Sequence, residues 1–231
     1  STKDLHTTWQ NARRSRPPFL ANTMAVEKEL QSAHAALQQQ FAALDKAPAG
    51  NSAELGAVAS QLAKLKVMLT ERDLLYPLAV ADVDALVLAR DVLEIGAFWS
   101  IRAKDTSEFD RYWSQLKPFY LDLVYVGAGD VLTAREQLPH SKNYEPLVGL
   151  SLLRDLASNA ISSFHIALET LPVDLVRESP FIQHPVLLER WLMEGSYSNV
   201  WRERNNVPRE EYRFFVDKLV VTIRCVLMHP R

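Results

Sequence analysis

His184–Trp201, HPVLLERWLMEGSYSNVW, reads as one helix, a one-residue stop and the start of another helix. Leu187, Leu188, Trp191 and Leu192 fall on one helical stripe. Gly195 can take the left-handed conformation that closes a helix, and Ser196 can cap the next one. Tyr197, Val200 and Trp201 give that second helix an apolar face. Two helices joined this tightly fold back on each other as an antiparallel pair. His184, ahead of Pro185, is expected to help start the first of them.

Two other junctions have the same character, AKDTSEFDRYW after Arg102 and LASNAISSFHIAL after Asp155. Each has a small or capping residue, then an aromatic or branched one, then apolar residues three to four further on. Phe109, Ile161 and Tyr197 are the matching positions on this reading, and their unequal spacing suits a helical solenoid of variable pairs rather than a strict repeat. Asp105 with Glu108 gives a capping-box pattern. In the helix that follows, Phe109, Tyr112, Trp113, Leu116, Phe119 and Tyr120 lie within about 120° of arc.

The expected architecture is all-α, a right-handed stack of antiparallel helix pairs resembling a tetratricopeptide solenoid. Residues 1–22 read as a polar leader and residues 23–228 as one helical-repeat domain. Val26, Leu30, Ala33, Leu37, Phe41 and Leu44 mark a first helix, and Ala47–Ser52 (APAGNS) breaks it. Leu55, Val58, Leu62, Leu65 and Leu69 mark a second, and a third runs from about Val80 to Ile101. Val126–Asp130 and Pro139–Asn143 bracket a looser region with a short helix between them. Helices over Tyr144–Leu156, Asn159–Leu171, Leu187–Glu194, Ser196–Arg204 and Pro208–Met228 complete the series. The last is apolar on two sides, with Val216, Leu219, Val220, Ile223 and Leu227 on one and Phe214 and Val221 on the other. Something is therefore expected to cover it.

Arg90–Asp105 (RDVLEIGAFWSIRAKD), Phe109–Tyr120 (FDRYWSQLKPFY), Gly149–Leu156, Phe164–Pro172 (FHIALETLP) and His184–Trp201, with a weaker match at Glu211–Arg224, form a collinear series that resembles the PCI-domain family. Those proteins are helical scaffold subunits of the proteasome lid, the signalosome and translation initiation factor three. The resemblance covers roughly Leu62 to Arg224. It implies a non-catalytic structural subunit of the proteasome regulatory particle lid, serving lid assembly and ubiquitin-dependent protein degradation. The implied partners are other lid subunits and the ubiquitin-receptor subunit. A scaffold role in the signalosome or the initiation factor is the alternative within the family. Members continue into a winged helix where Cys225–Arg231 (CVLMHPR) departs from the pattern, so that domain is expected to be missing after residue 224.

Composition agrees with helix, since only seven of the 231 residues are glycine. A net charge of −2 gives no electrostatic case for nucleic acid or an anionic membrane. Arg13, Arg14 and Arg16 read as part of a solvated tail. A lone cysteine, Cys225, forms no internal disulfide and suits a reducing compartment, cytoplasm or nucleus. No apolar run reaches the roughly 18 residues of a membrane helix.

Active-site patterns are lacking: there is no GxSxG, no HExxH, no phosphate-binding GK[ST] loop and no paired metal-ligand spacing. Gly127-Ala128-Gly129 reads as a loop. His165 reads as a satisfied or partly exposed side chain, and Glu189, Arg190 and Glu194 as surface pairs. Trp113 belongs to a core stripe rather than a base-stacking platform. Hence no catalytic, cofactor-binding or metal-ligating residue is expected, and no cofactor. The rival from another class is a helical enzyme with a pocket between repeats, which would need convergent polar groups in a cleft.

Overall fold

Three helix ends among the described residues close in the same way. In a computed structural model, Lys104, Asn159 and Gly195 take left-handed φ values of 60°, 57° and 70°. The amide of each donates to a carbonyl three residues back, at Ile101, Leu156 and Leu192 (3.0, 3.0 and 3.1 Å). The next amide donates five residues back, from Asp105 to Ser100, Ala160 to Asp155 and Ser196 to Trp191 (2.9, 2.9 and 2.8 Å). This is the Schellman pattern, which satisfies the last carbonyls of a helix while reversing the chain. The following helix begins two residues after each left-handed residue, at Thr106, Ile161 and Tyr197. Five residues after each comes a side chain with no solvent exposure, Phe109, Phe164 and Val200. The equivalent anchors are therefore Phe109, Phe164 and Val200, not Phe109, Ile161 and Tyr197, because the left-handed residue sets the register.

The structure describes residues 30–42, 52–72, 74–75, 83–121, 123–126, 130–133, 138–204 and 206–228. The polar leader 1–22 lies outside them. The chain divides into two compact units, Ser1–Arg72 and Asp73–Arg231, a division inside the stretch expected as one helical-repeat domain. In the first unit, helix α1 (30–42) buries Leu30 and Leu37, and α2 (Ser52–Thr70) buries Val58, Leu62, Leu65 and Leu69. The seven-residue interval in α1 and the three-and-four intervals in α2 each mark one face of an amphipathic helix.

The second unit begins with α3 (Val83–Arg102) and α4 (Thr106–Leu121), an antiparallel pair closed at Lys104. They approach closely because a Cβ at Gly96 would fall within 3 Å of the Tyr112 ring. Strands β1 (Leu123–Val126) and β2 (Asp130–Thr133) then form an antiparallel hairpin, with Leu123 opposite Thr133 and Val126 opposite Asp130. A strand over Asp130–Thr133 thus occupies the start of the stretch between Asp130 and Pro139 where a short helix is expected, and residues 134–137 lie outside the described residues. Val131, Leu132 and Thr133 are branched or strand-compatible residues following a Gly-Ala-Gly turn sequence, which favours a hairpin.

Helices α5 (Tyr144–Ala157), α6 (Ile161–Glu169), α7 (Val173–Glu178), α8 (Pro180–Met193), α9 (Tyr197–Glu203) and α10 (Glu210–Met228) complete the described elements. They continue the helical stack, the hairpin falling between α4 and α5 in chain order. Helix α5 is buried around most of its circumference because α6, α8 and α10 all pack against it. That explains its near-continuous apolar sequence, LVGLSLLRDLA.

Helix α10 does not end the stack as an outer layer. It returns to α3, α4 and α5. Its Phe215 ring meets Phe109 of α4 edge-on at 5.3 Å, and Thr222 donates to the Ala157 carbonyl of α5 at 2.9 Å. Tyr212, Phe215, Val216, Leu219 and Val220 are all buried. The chain itself therefore covers the broader apolar side of this helix, leaving Val221 exposed and Phe214 half-buried against Phe215. Leu227 lies beyond the side chains that the structure describes.

Helix α8 starts at Pro180, earlier than the start read at His184-Pro185. Pro180 occupies the first helical position, while His184 and Pro185 are internal and buried. Together with Ile182 and Leu188 they form the inward stripe, so Leu187 turns outward at 41% exposure, contrary to expectation. Proline at position 185 has no amide to give to the Phe181 carbonyl. The Tyr212 hydroxyl lies 3.4 Å from that carbonyl and donates to the Pro146 carbonyl of α5 at 2.8 Å. Gly149 makes the junction possible, since a Cβ there would sit within 3 Å of both the Phe181 oxygen and the Tyr212 hydroxyl.

Candidate interaction surface and a buried polar tie

Between Asp84 and Ser100, helix α3 is apolar except for Arg90, Asp91 and Glu94 near its centre. Glu94 is 1% exposed, so its carboxylate needs partners. It has four. The Tyr120 hydroxyl of α4 donates to Oε1 at 2.6 Å, and the Ser141 hydroxyl and Asn143 amide donate to Oε2 at 2.9 Å each. The Arg90 guanidinium completes the set as an ion pair without a hydrogen bond, its Nε 3.4 Å from Oε1. Arg90 also donates to the Pro139 carbonyl at 2.6 Å.

Burial, reinforced by the Glu94 charge, pushes the Tyr120 hydroxyl far above its ordinary pKa, so it remains a donor. Burial likewise raises Asp91, opposed by Arg90. The cluster fastens residues 139–143, the approach to α5, onto α3 and α4. Beside it is a recess lined by Arg90, Phe119, Tyr120 and His140, with room for about one water molecule. That is a structural tie rather than a substrate cleft. The i,i+4 pair Arg90 and Glu94 inside an apolar helix was its sequence signal.

Other polar contacts join helices at the surface. Arg154 of α5 bridges Asp110 of α4 and Asp155 at 2.6 and 2.7 Å, and its bond to Asp110 is the main reason its pKa rises. Arg102 reaches Glu211 at 3.4 Å, and Arg209 reaches the same carboxylate at 3.5 Å while lying 5.0 Å over the Phe98 ring. Arg204 pairs with Asp217. Asp105 caps α4 by accepting from the amides of Ser107 and Glu108 at 2.9 and 3.2 Å. The reciprocal half of the expected capping box is not formed: the Asp105 amide is committed to Ser100, and Glu108 pairs with Arg111 at 2.6 Å.

Residues weighed for chemistry are scattered. His165 is half-exposed with its Nε2 3.5 Å from Glu189, while Arg190 pairs with Glu194 at 2.9 Å on the outer side of α8. His184 is on the inner side, so these groups do not converge. Trp113 is half-buried, 6.3 Å from the Tyr120 ring. Gly127-Ala128-Gly129, Arg13, Arg14 and Arg16 lie outside the described residues, as does the Cys225 side chain. No cluster of three or more His, Cys, Asp or Glu side chains that could hold a metal occurs among the described residues. None of the helices described is long and apolar enough to cross a membrane.

What the second unit offers outward is apolar surface. Leu187, Met193 and Trp201 are exposed along the α8–α9 hairpin, Ile166 and Val173 on α6 and α7, and Val221 on α10. Helix α7 buries none of its residues. Single exposed apolar residues are ordinary. Trp201, at 44% exposure, and Met193, at 59% on the paired helix, are costlier to leave in water.

The chain is 38% identical over 166 residues to the 26S proteasome non-ATPase regulatory subunit 8 homolog A of Arabidopsis thaliana, a match covering 71% of this chain and 58% of the relative. It is 29% identical over 171 residues to the 26S proteasome regulatory subunit RPN12 of Saccharomyces cerevisiae, again 71% and 58%. The rpn12 subunit of Schizosaccharomyces pombe is 31% identical over 169 residues, 73% of this chain and 57% of the relative. Each match thus covers a little over half the length of its relative. The CSN8/PSMD8/EIF3K family model matches residues 142–229, the stretch that starts at the Glu94 tie and contains α5 to α10. The similarity to the CSN8/PSMD8/EIF3K family thus rests on residues 142–229.

Proposed function

We propose that this chain acts as a non-catalytic scaffold subunit of the 26S proteasome regulatory particle lid. The observation that carries the reading is collinear similarity over about seven-tenths of the chain to relatives named as proteasome regulatory subunits. The site geometry supports it: the Glu94 cluster holds segments of the fold together, and the exposed features are apolar and charged helix faces. Such a protein works by rigid presentation of surface. Its partners on this reading are other lid subunits and the ubiquitin-receptor subunit, its process is ubiquitin-dependent degradation, and its compartments are the cytoplasm and nucleus. Sedimentation of cell extract through a density gradient tests this. The chain should peak with proteasome peptidase activity; a peak with the signalosome or initiation factor three would favour the second reading, a paralogous scaffold, which the family description also accommodates.

A further inference from the structure

His184 stands at the junction of α5, α8, α9 and α10, is 6% exposed, and among the described residues has no hydrogen-bond partner for either ring nitrogen. Its ring meets the Tyr212 ring edge-on at 5.9 Å, beside the Tyr212 bond to Pro146. We propose that His184 makes this junction a proton-sensitive fastening, closed when the imidazole is neutral and loosened when it is protonated. The proposal is independent of which assembly the chain enters.

The argument is one of solvation. A neutral imidazole in an apolar junction leaves one donor and one acceptor unpaired, a tolerable cost. An imidazolium there would be a buried charge with two unpaired donors, which is far more costly. Burial accordingly lowers the pKa of His184, opposed by the Glu203 carboxylate on α9. The remaining titratable groups on the packed elements offer no rescue. Tyr212 on α10 is kept neutral by burial, and Glu211 is held by Arg102 and Arg209. Glu145 on α5 accepts the Ser179 hydroxyl, and Glu189 on α8 faces His165. Asp174, Arg177 and Glu178 on α7 and Arg202 on α9 are exposed to solvent.

The sign follows from linkage. With its folded pKa below the ordinary 6.5, His184 binds its proton more readily in the unfolded chain. Its contribution is fully present above about pH 6.5 and is lost as pH falls towards the folded pKa. Between pH 7.5 and 5.5 this one site raises the unfolding constant by up to about tenfold.

The experiment compares urea unfolding of the full chain and of H184L at both pH values. The wild-type chain should lose up to about tenfold more in its unfolding constant than H184L. His34, whose pKa burial also lowers, is common to both and cancels. Equal losses would overturn the proposal. Because H184L could fail to fold, the His184 ring resonances of the wild-type chain are titrated as well. A midpoint below the ordinary imidazole value is expected, and one at or above it would overturn the proposal on its own.

Discussion

Replacing Gly149 with alanine sets two rules against each other. Alanine is the better helix former by about 1 kcal/mol, and an unobstructed site would gain that much. Gly149 is obstructed: the added Cβ would lie within 3 Å of the Phe181 carbonyl oxygen, which is backbone of α8, and of the Tyr212 hydroxyl. Neither can yield by a simple rotamer change. Overpacking a tight contact costs about 1–3 kcal/mol. Driving the Tyr212 hydroxyl off the Pro146 carbonyl leaves a buried donor unpaired, for about 1–3 kcal/mol more. With the helix gain subtracted, G149A should destabilise by about 3 kcal/mol, lowering the Tm by roughly 6–12 °C for a chain of this size. Thermal unfolding followed by circular dichroism measures this. Y212F in the same background removes one of the two obstructing atoms, so the double variant should be less destabilised than the sum of the singles. A G149A chain as stable as the parent, or one additive with Y212F, would refute the packing of α5, α8 and α10 at this point.

Other outcomes follow from the same geometry. Lys104→Gly should stabilise by about 0.5–1 kcal/mol, because lysine at φ 60° carries left-handed strain that glycine does not; urea titration reads it. Glu94→Gln places an amide donor among the Tyr120, Ser141 and Asn143 donors and should cost about 2–4 kcal/mol, with hydrogen exchange fastest around residues 138–143. On alkaline titration Tyr112 is pushed up to about 12 by burial and then by Glu108, and burial raises Tyr120 and Tyr212 further. These phenols are harder to ionise folded than unfolded. Their contribution is therefore present below about pH 10 and lost above it, so tyrosinate absorbance from them should appear only with unfolding. Met193→Ser with Trp201→Ser should change stability by about 0.5 kcal/mol or less yet lower recovery of bound subunits if the α8–α9 hairpin docks.

Much of the helical order was legible because apolar periodicity and glycine carry strong local signals. Gly195 shows this: a glycine between two apolar stripes announces a left-handed stop. Lys104 does not, since lysine is seldom left-handed and its conformation is imposed by the packing of α3 on α4. Without it the repeat register slipped, and Ile161 and Tyr197 took the places of Phe164 and Val200. Pro185 drew the start of α8 five residues late, because an internal proline is tolerated only through a tertiary partner. Tyr212, 27 positions along the chain, cannot be paired with it by local rules. The two-sided apolarity of α10 was visible, but its cover on one side proved to be α3, α4 and α5, a long-range return that periodicity does not encode. The Glu94 tie is hidden from local rules for the same reason, since apart from Arg90 its partners lie on α4 and on residues 141–143.

The central claim is that these interlocked helices serve as a scaffold in the proteasome lid. Affinity purification of the tagged protein from cells, with subunit amounts quantified by mass spectrometry, tests it most directly. Lid subunits should be recovered in near-equal amounts with the chain. Recovery of signalosome or initiation-factor subunits in that ratio, or of the chain without any lid subunit, would contradict it.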